Sequence, residues 1–283
     1  MTKTGVVVRT FVLVHGSGSN GTLWASVQRE LALRGQRSYA VDLPGHGSDA
    51  GYSRSYQAPQ DLTAWAAEPS SVTGVRLADN VAHVVDVVRR VAEHGPVVLV
   101  GASLGGVTIS GVADEVPELL ERIVYLSAWI CTSRPNPLAY MGEPEFARSL
   151  VGELGGFAVD APDGVGRANY RTADKALLDA LKAATMAEAT DAQFLAAVNQ
   201  LDPDESLAVM SDDARVHPDR WGRVPRTFIR LTEDRSLPVE LQDRLIAEAD
   251  ASTPGNPFTV HDLDCSHMGF VLRAGEVADL LVF

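Results

Sequence analysis

The chain has 283 residues, 46% hydrophobic and 22% charged, enough apolar material for one large core and too much for a disordered chain. With 24 Lys and Arg against 37 Asp and Glu, its formal net charge of -13 repels phosphate backbones and anionic lipid, so nucleic acid and membrane partners are set aside. The two cysteines, Cys131 and Cys265, fall outside any CxxC spacing, which excludes a disulfide framework and a structural zinc site.

Met1-Thr2-Lys3-Thr4-Gly5 leads into an apolar stretch from Val6 to Val14, broken by Arg9-Thr10. It reads as a strand over residues 10–14, since a secretory signal needs an unbroken apolar run and a small-residue cleavage site. No window approaches the ~20 apolar residues of a membrane span, and a cytoplasmic location is expected. A glycine-rich loop beginning His15-Gly16-Ser17 follows, then a helical pattern over residues 23–34. A second strand, at 37–41, closes on Asp42-Leu43-Pro44-Gly45-His46-Gly47. Over residues 75–94, Leu77, Val81, Val84, Val85 and Val88 recur at helical spacing until Gly95-Pro96 stops the run. Strands at 97–100 and 123–126 bracket a helical run at 107–112.

From about Cys131 to Trp221 the pattern changes. Pro135-Asn136-Pro137 and a glycine-rich stretch at 152–156 precede Ala-, Asp- and Leu-rich helical segments with no convincing strand. Strand character resumes at Arg226, with runs at 227–231 and 258–260. Short β-branched runs alternating with longer helical patterns specify an α/β fold, a mostly parallel central sheet flanked by helices. The reading is one domain over residues 1–283, with 131–221 a helical cap inserted between strands, because either strand set alone would be an incomplete sheet.

The most specific signal is Gly101-Ala102-Ser103-Leu104-Gly105-Gly106, a G-x-S-x-G between the strand Val97-Val98-Leu99-Val100 and a helical run. A serine in so tight a strand-to-helix turn has its Oγ pushed out above the sheet edge, and the turn leaves no room for Cβ atoms two residues away. Ser103 is the candidate nucleophile. The Leu104 N–H, at the positive end of the next helix, is one candidate oxyanion donor, and the Ser17 N–H, in a loop that Gly16 lets turn toward Ser103, is the second.

A nucleophilic serine needs a base and an orienting carboxylate, in the chain order Ser, acid, His for this architecture. His267 alone of the seven histidines sits in a short polar loop after the last strand, in Asp264-Cys265-Ser266-His267-Met268-Gly269. His261 lies within a strand, His15 and His46 shape loops beside glycines, and His83, His94 and His217 occupy helix or surface positions. The acid is Asp234, just past the strand at 227–231, with Glu233 the neighbour able to substitute. Asp262 and Asp264 are too close in sequence to His267. A pocket between the sheet edge and the insertion is expected to involve Gly16, Trp129 and Met268, with Tyr140 and Phe146 from the cap, favouring a small-molecule substrate with an apolar or aromatic group.

One rival motif shares the first loop. Gly16-Ser17-Gly18-Ser19-Asn20-Gly21 is a literal GxGxxG, and Asp42 stands where a dinucleotide fold puts its ribose-binding acid. Yet Asp42 opens a Pro- and Gly-shaped turn, none of the lysines Lys3, Lys175 and Lys182 completes a Tyr-xxx-Lys pair, and Ser103, Asp234 and His267 would be left without a role. An NAD(P)-dependent dehydrogenase is disfavoured, and neither cofactor nor metal is expected.

Taken together, His15-Gly16, Asp42-Leu43-Pro44-Gly45-His46-Gly47, Gly101-Ala102-Ser103-Leu104-Gly105-Gly106, Thr232-Glu233-Asp234 and Ser266-His267-Met268 resemble the α/β-hydrolase superfamily. Within it the chain is similar to the branch of plant methyl esterases, hydroxynitrile lyases and bacterial esterases of the EstC type. The resemblance implies Ser103 as nucleophile, Asp234 as acid, His267 as base, and the Leu104 and Ser17 N–H groups as oxyanion donors. Lyases of that branch carry Thr where Gly16 stands and Lys where Met268 stands, which disfavours lyase activity. Ala102 and Ser19 replace histidines found in many esterase relatives and leave the triad intact. The expected activity is hydrolysis of a small to medium carboxylic ester, lactone or thioester through an acyl-enzyme. Alternatives are a lyase or natural-product tailoring enzyme using the same site and a binding protein on the same fold. A homodimer is the protein assembly the reading leaves open.

Overall fold

The computed structural model describes residues 7–282; the N-terminal residues 1–6, on which the reading of the chain's start partly rests, and residue 283 of the single-domain span lie outside them. Among the described residues nine strands follow in chain order: β1 (Thr10–Val14), β2 (Arg37–Val41), β3 (Val97–Ser103), β4 (Leu120–Ala128), β5 (Ala158–Val159), β6 (Val165–Ala168), β7 (Asp204–Ser206), β8 (Arg226–Leu231) and β9 (Thr259–Leu263). Six of them form one parallel sheet in the order β2-β1-β3-β4-β8-β9. The strand order reverses between β1 and β3, and an open α/β sheet has its crevice outside the carboxyl ends of the strands at such a reversal. The loop after β1 and the turn after β3 therefore face one another.

Alternation along each central strand builds two cores. Val12 and Val14 of β1 join Val97, Leu99, Ile123 and Tyr125 beneath the helices Leu77–Ala92 and Gly105–Glu115. Phe11 and Leu13 point the other way, joining Val98, Val100 and Val124 against Val27 and Leu31 and the C-terminal Val277 and Leu281. Strands buried on both faces read as continuous apolar runs, which is why TFVLV and VVLV were legible. Each fully buried Val or Leu contributes about 1.5–3 kcal/mol. The expected helix over 75–94 forms over Leu77–Ala92, with Val84, Val85 and Val88 buried; Gly95 at φ +138° and Pro96 end it. Both cysteines are free and buried. Burial pushes the Cys131 thiol up, and pushes that of Cys265 up to about 12.

The inserted segment departs from its expected character. It is not purely helical: β5, β6 and β7 make a second, antiparallel sheet beside the helices Lys175–Thr185 and Asp191–Val198. Sequence pattern missed these strands because they are only two to four residues long, too short to show a period, and β7 is polar throughout. A side-chain pair joins β6 to β7 beside their backbone ladder. Arg167 of β6 donates to both carboxylate oxygens of Asp204 of β7, at 2.8 and 2.7 Å, and its guanidinium lies 5.0 Å from the Trp65 ring centroid.

Candidate active site

Ser103 ends β3 with φ +51°, a left-handed conformation that costs a non-glycine residue strain and turns its side chain out of the strand. The turn fits only because Gly105 packs against the end of β1: a methyl there would stand 2.5 Å from the His15 carbonyl oxygen. On the facing loop, a methyl at Gly16 would stand 2.7 Å from Cβ of Ser103. The two loops thus meet at the strand-order reversal. Leu104 is the N-cap of the helix Gly105–Glu115, so its N–H lies among the groups a helix leaves unsatisfied at its start.

Asp234 and His267 come from the turns after β8 and β9. His267 Nδ1 lies 2.6 Å from Asp234 Oδ2. The buried Asp234 carboxylate accepts three more bonds: from Ser127 Oγ to Oδ2 at 2.6 Å, and from the Ser236 and Leu237 N–H groups to Oδ1 at 2.7 and 2.8 Å. A carboxylate with four donors holds the imidazole in one orientation with Nε2 turned away. Ser127 is a residue that sequence reasoning missed. It is fully buried at φ +39°, where the pairing of β3 with β4 skips a residue between Ala102 and Ser103. No sequence signal distinguishes that serine from an ordinary strand residue. The inserted segment grips both neighbours of His267: Ser266 Oγ lies 2.5 Å from Glu188 Oε2, and the Met268 N–H donates to the Thr185 carbonyl at 2.7 Å.

These residues border a cavity of about 270 Å³. Gly16, Ser17, Ser103, Leu104, Trp129, His267 and Met268 all line it, while Asp234 stands behind His267. Two expected lining residues do not. Tyr140 is fully buried behind the wall, its hydroxyl donating to Glu248 at 2.5 Å. Phe146 backs Trp129 from outside the cavity, with ring centroids 6.1 Å apart. A core position satisfies Tyr140 better than a cavity wall because there its hydroxyl has the Glu248 carboxylate as hydrogen-bond acceptor. The insertion instead supplies Met141, Val151, Leu154, Tyr170 and Met210. A larger surface groove of about 800 Å³ lies elsewhere, between the helices Leu77–Ala92 and Gly105–Glu115, and contains none of these residues.

The glycine-rich loop after β1 is occupied by its own structure. Asp42, the residue a dinucleotide fold would offer to a ribose, instead accepts the Gly21 N–H at 2.7 Å. Among the described residues no group of three or more His, Cys, Asp or Glu side chains is arranged to hold a metal ion. No helix among them is long and apolar enough to cross a membrane.

The family described as the alpha/beta hydrolase family matches residues 11–280. A pyrethroid hydrolase of Sphingobium wenxiniae is 23% identical over 279 residues, covering 98% of this chain and 87% of that protein. Methylesterase 7 of Arabidopsis thaliana is 26% identical, covering 97% and 95%. Among solved structures, a pyrethroid hydrolase from Sphingobium faniae superposes with a TM-score of 0.71 at 22% identity, covering 97% of this chain and 96% of that one.

Proposed function

The chain belongs to the alpha/beta hydrolase family, and from that membership we propose that it is a serine hydrolase of small to medium carboxylic esters. The observation that carries this reading is the Asp234–His267 pair at 2.6 Å, placed on the same cavity as a Ser103 held at φ +51°. Esterase relatives spanning nearly the whole chain support it.

In this mechanism His267 Nε2 takes the Ser103 hydroxyl proton as Oγ attacks the ester carbonyl. Asp234 stabilises the imidazolium that forms, and the N–H groups of Ser17 and Leu104 receive the tetrahedral oxyanion. The imidazolium then returns its proton to the departing alkoxide, leaving an acyl-Ser103. Water repeats the sequence and frees the acid. Trp129, Leu154, Met210 and Met268 supply apolar walls, which suits an apolar or aromatic substituent on the ester. Residues 131–221 act as a cap over this cavity.

The test is intact-mass analysis after fluorophosphonate treatment of wild type and Ser103→Ala. One adduct on wild type, lost in the variant, is expected. No adduct on folded wild type would overturn the reading.

A further inference from the structure

Around the Ser17 N–H, the neighbouring peptide groups are held one after another by buried partners. His15 Nε2 accepts the Leu43 N–H at 3.1 Å, and its Nδ1 lies 2.9 Å from the Gly16 carbonyl oxygen. A neutral ring nitrogen that accepts carries no proton, so Nδ1–H is the donor to Gly16. The Gly16 carbonyl and the Ser17 N–H belong to one trans peptide and point in opposite directions, so gripping the oxygen aims the N–H. One residue on, the Gly18 N–H donates to Glu205 Oε2 and the Gly18 carbonyl accepts the Asp202 N–H, both at 3.0 Å. The Ser17 N–H has no acceptor among the described residues.

Glu205 and Asp202 both come from the inserted segment, and both face His46, from the turn after β2. His46 is 3% exposed, with Nδ1 3.4 Å from Asp202 Oδ2 and Nε2 3.6 Å from Glu205 Oε1. Asp202 is further fixed by the Gly47 N–H at 2.7 Å, the Tyr52 hydroxyl at 2.8 Å and the Asn20 side chain at 3.0 Å. Two carboxylates closed into one cage repel each other unless a cation stands between them. Here that cation is the His46 imidazolium.

We propose that Glu205 is a positioning residue for ester hydrolysis: with His46 and Asp202 it clamps Gly18, so that the Ser17 N–H stays aimed at the developing oxyanion. The proposal rests on the oxyanion role assigned to Ser17 above. The charge states agree with it. Burial alone would lower His46, but the adjacent Asp202 and Glu205 outweigh that and push it up to about 10. Burial, together with the charge on His46, pushes His15 down to about 4, leaving the neutral ring that its two bonds require. His46 meets Asp202, Glu205 and, at 5.0 Å between ring centroids, His15. The clamp also ties the insertion directly to the chemistry, since a shift of β7 would move Gly18.

A loosened Gly18 costs binding in the transition state and not in the ground state, so the loss falls on kcat. The experiment compares wild type, Glu205→Ala and Glu205→Gln on p-nitrophenyl butyrate. Each is also titrated with an aliphatic trifluoromethyl ketone, which forms an oxyanion on serine, and with the matching unfluorinated ketone. For Glu205→Ala we expect kcat to fall on the order of 10² with KM within about two-fold. Trifluoromethyl ketone affinity should fall in parallel while the plain ketone is unaffected. Glu205→Gln keeps an oxygen to accept the Gly18 N–H and should recover kcat to within about three-fold of wild type. Unchanged kcat in folded Glu205→Ala, a loss confined to KM, or equal losses in both variants would each overturn the clamp. Should Glu205→Ala fail to fold by circular dichroism, His46→Gln takes its place, and an unchanged affinity ratio between the two ketones overturns the proposal. Fluorophosphonate labelling separates the two ideas: an unlabelled wild type overturns the hydrolase reading, whereas a labelled wild type beside an unaffected variant overturns the clamp alone.

Discussion

The parallel sheet and the segment inserted between β4 and β8 are held together by different forces. In the sheet, Ser103 ends β3, which a backbone ladder locks between buried apolar faces, and Asp234 and His267 stand in the turns just after the paired strands β8 and β9. In the insertion, short strands and helix ends are tied mainly by individual polar contacts: Arg167 to Asp204 within it, the Thr185 carbonyl and Glu188 to the His267 loop, Asp202 and Glu205 to His46. Reacting groups need sub-ångström placement, which a ladder supplies, whereas cavity walls need only shape. The sheet should therefore tolerate little at its strand ends, and the insertion should tolerate exchange of wall residues while remaining sensitive where its charges reach the sheet.

The sharpest way to break that contrast is Asp234→Asn, which leaves the packing but ends the control of the His267 ring. We expect kcat to fall about 10⁴-fold with the melting temperature little changed, read by steady-state kinetics beside thermal unfolding. Next in size is Ser127→Ala. Removing one donor to Asp234 Oδ2 should lower kcat about ten-fold, and a larger change in KM than in kcat would show that Ser127 shapes the cavity and not the carboxylate. On the insertion side, Leu154→Ala enlarges the wall and should shift relative kcat/KM toward bulkier esters by about three- to ten-fold. A uniform loss across an ester series would mean that the insertion positions the chemistry as strictly as the sheet does.

The smallest effect concerns pH. His46 is raised from its ordinary 6.5 to about 10, so its contribution to stability is fully present below 6.5 and disappears as pH rises through 10. His15 is lowered to about 4, so its contribution is present above 6.5 and disappears as pH falls through 4. The melting temperature of wild type should therefore exceed that of His46→Gln by more at pH 6 than at pH 10. Scanning fluorimetry at the two values checks it, and a constant difference would remove the charged clamp from the account.

The central strands of the large sheet were legible because they are runs of β-branched or apolar residues closed by glycine, proline or a polar turn, as Val97–Ser103 illustrates, whereas the edge strand Thr259–Leu263, with His261 and Asp262 in it, runs beyond the expected 258–260. Chain order together with position after the last two strands of the large sheet singled out His267 and Asp234, with Glu233 as the neighbour, and in the structure His267 Nδ1 and Asp234 Oδ2 lie 2.6 Å apart. Ser127 was hidden because its role arises from a skipped pairing between two strands, a relation no local pattern encodes. Asp204-Glu205-Ser206 carries no apolar alternation, and its β7 pairing with β6 depends on an arginine 37 residues away in sequence. Tyr140 misled for the opposite reason. An aromatic side chain in a loop-rich segment has the same local signature whether it lines a cavity or bonds to a glutamate on a distant helix.

The two buried cysteines have a practical consequence. With neither thiol accessible and both held protonated by burial, the folded protein offers no native thiol to alkylating reagents. A single cysteine introduced at a surface position of the insertion, such as the exposed Leu195, would be the one reactive thiol among the described residues. Fluorophores or spin labels attached there could follow the insertion against the sheet in otherwise wild-type protein, without first building a cysteine-free background.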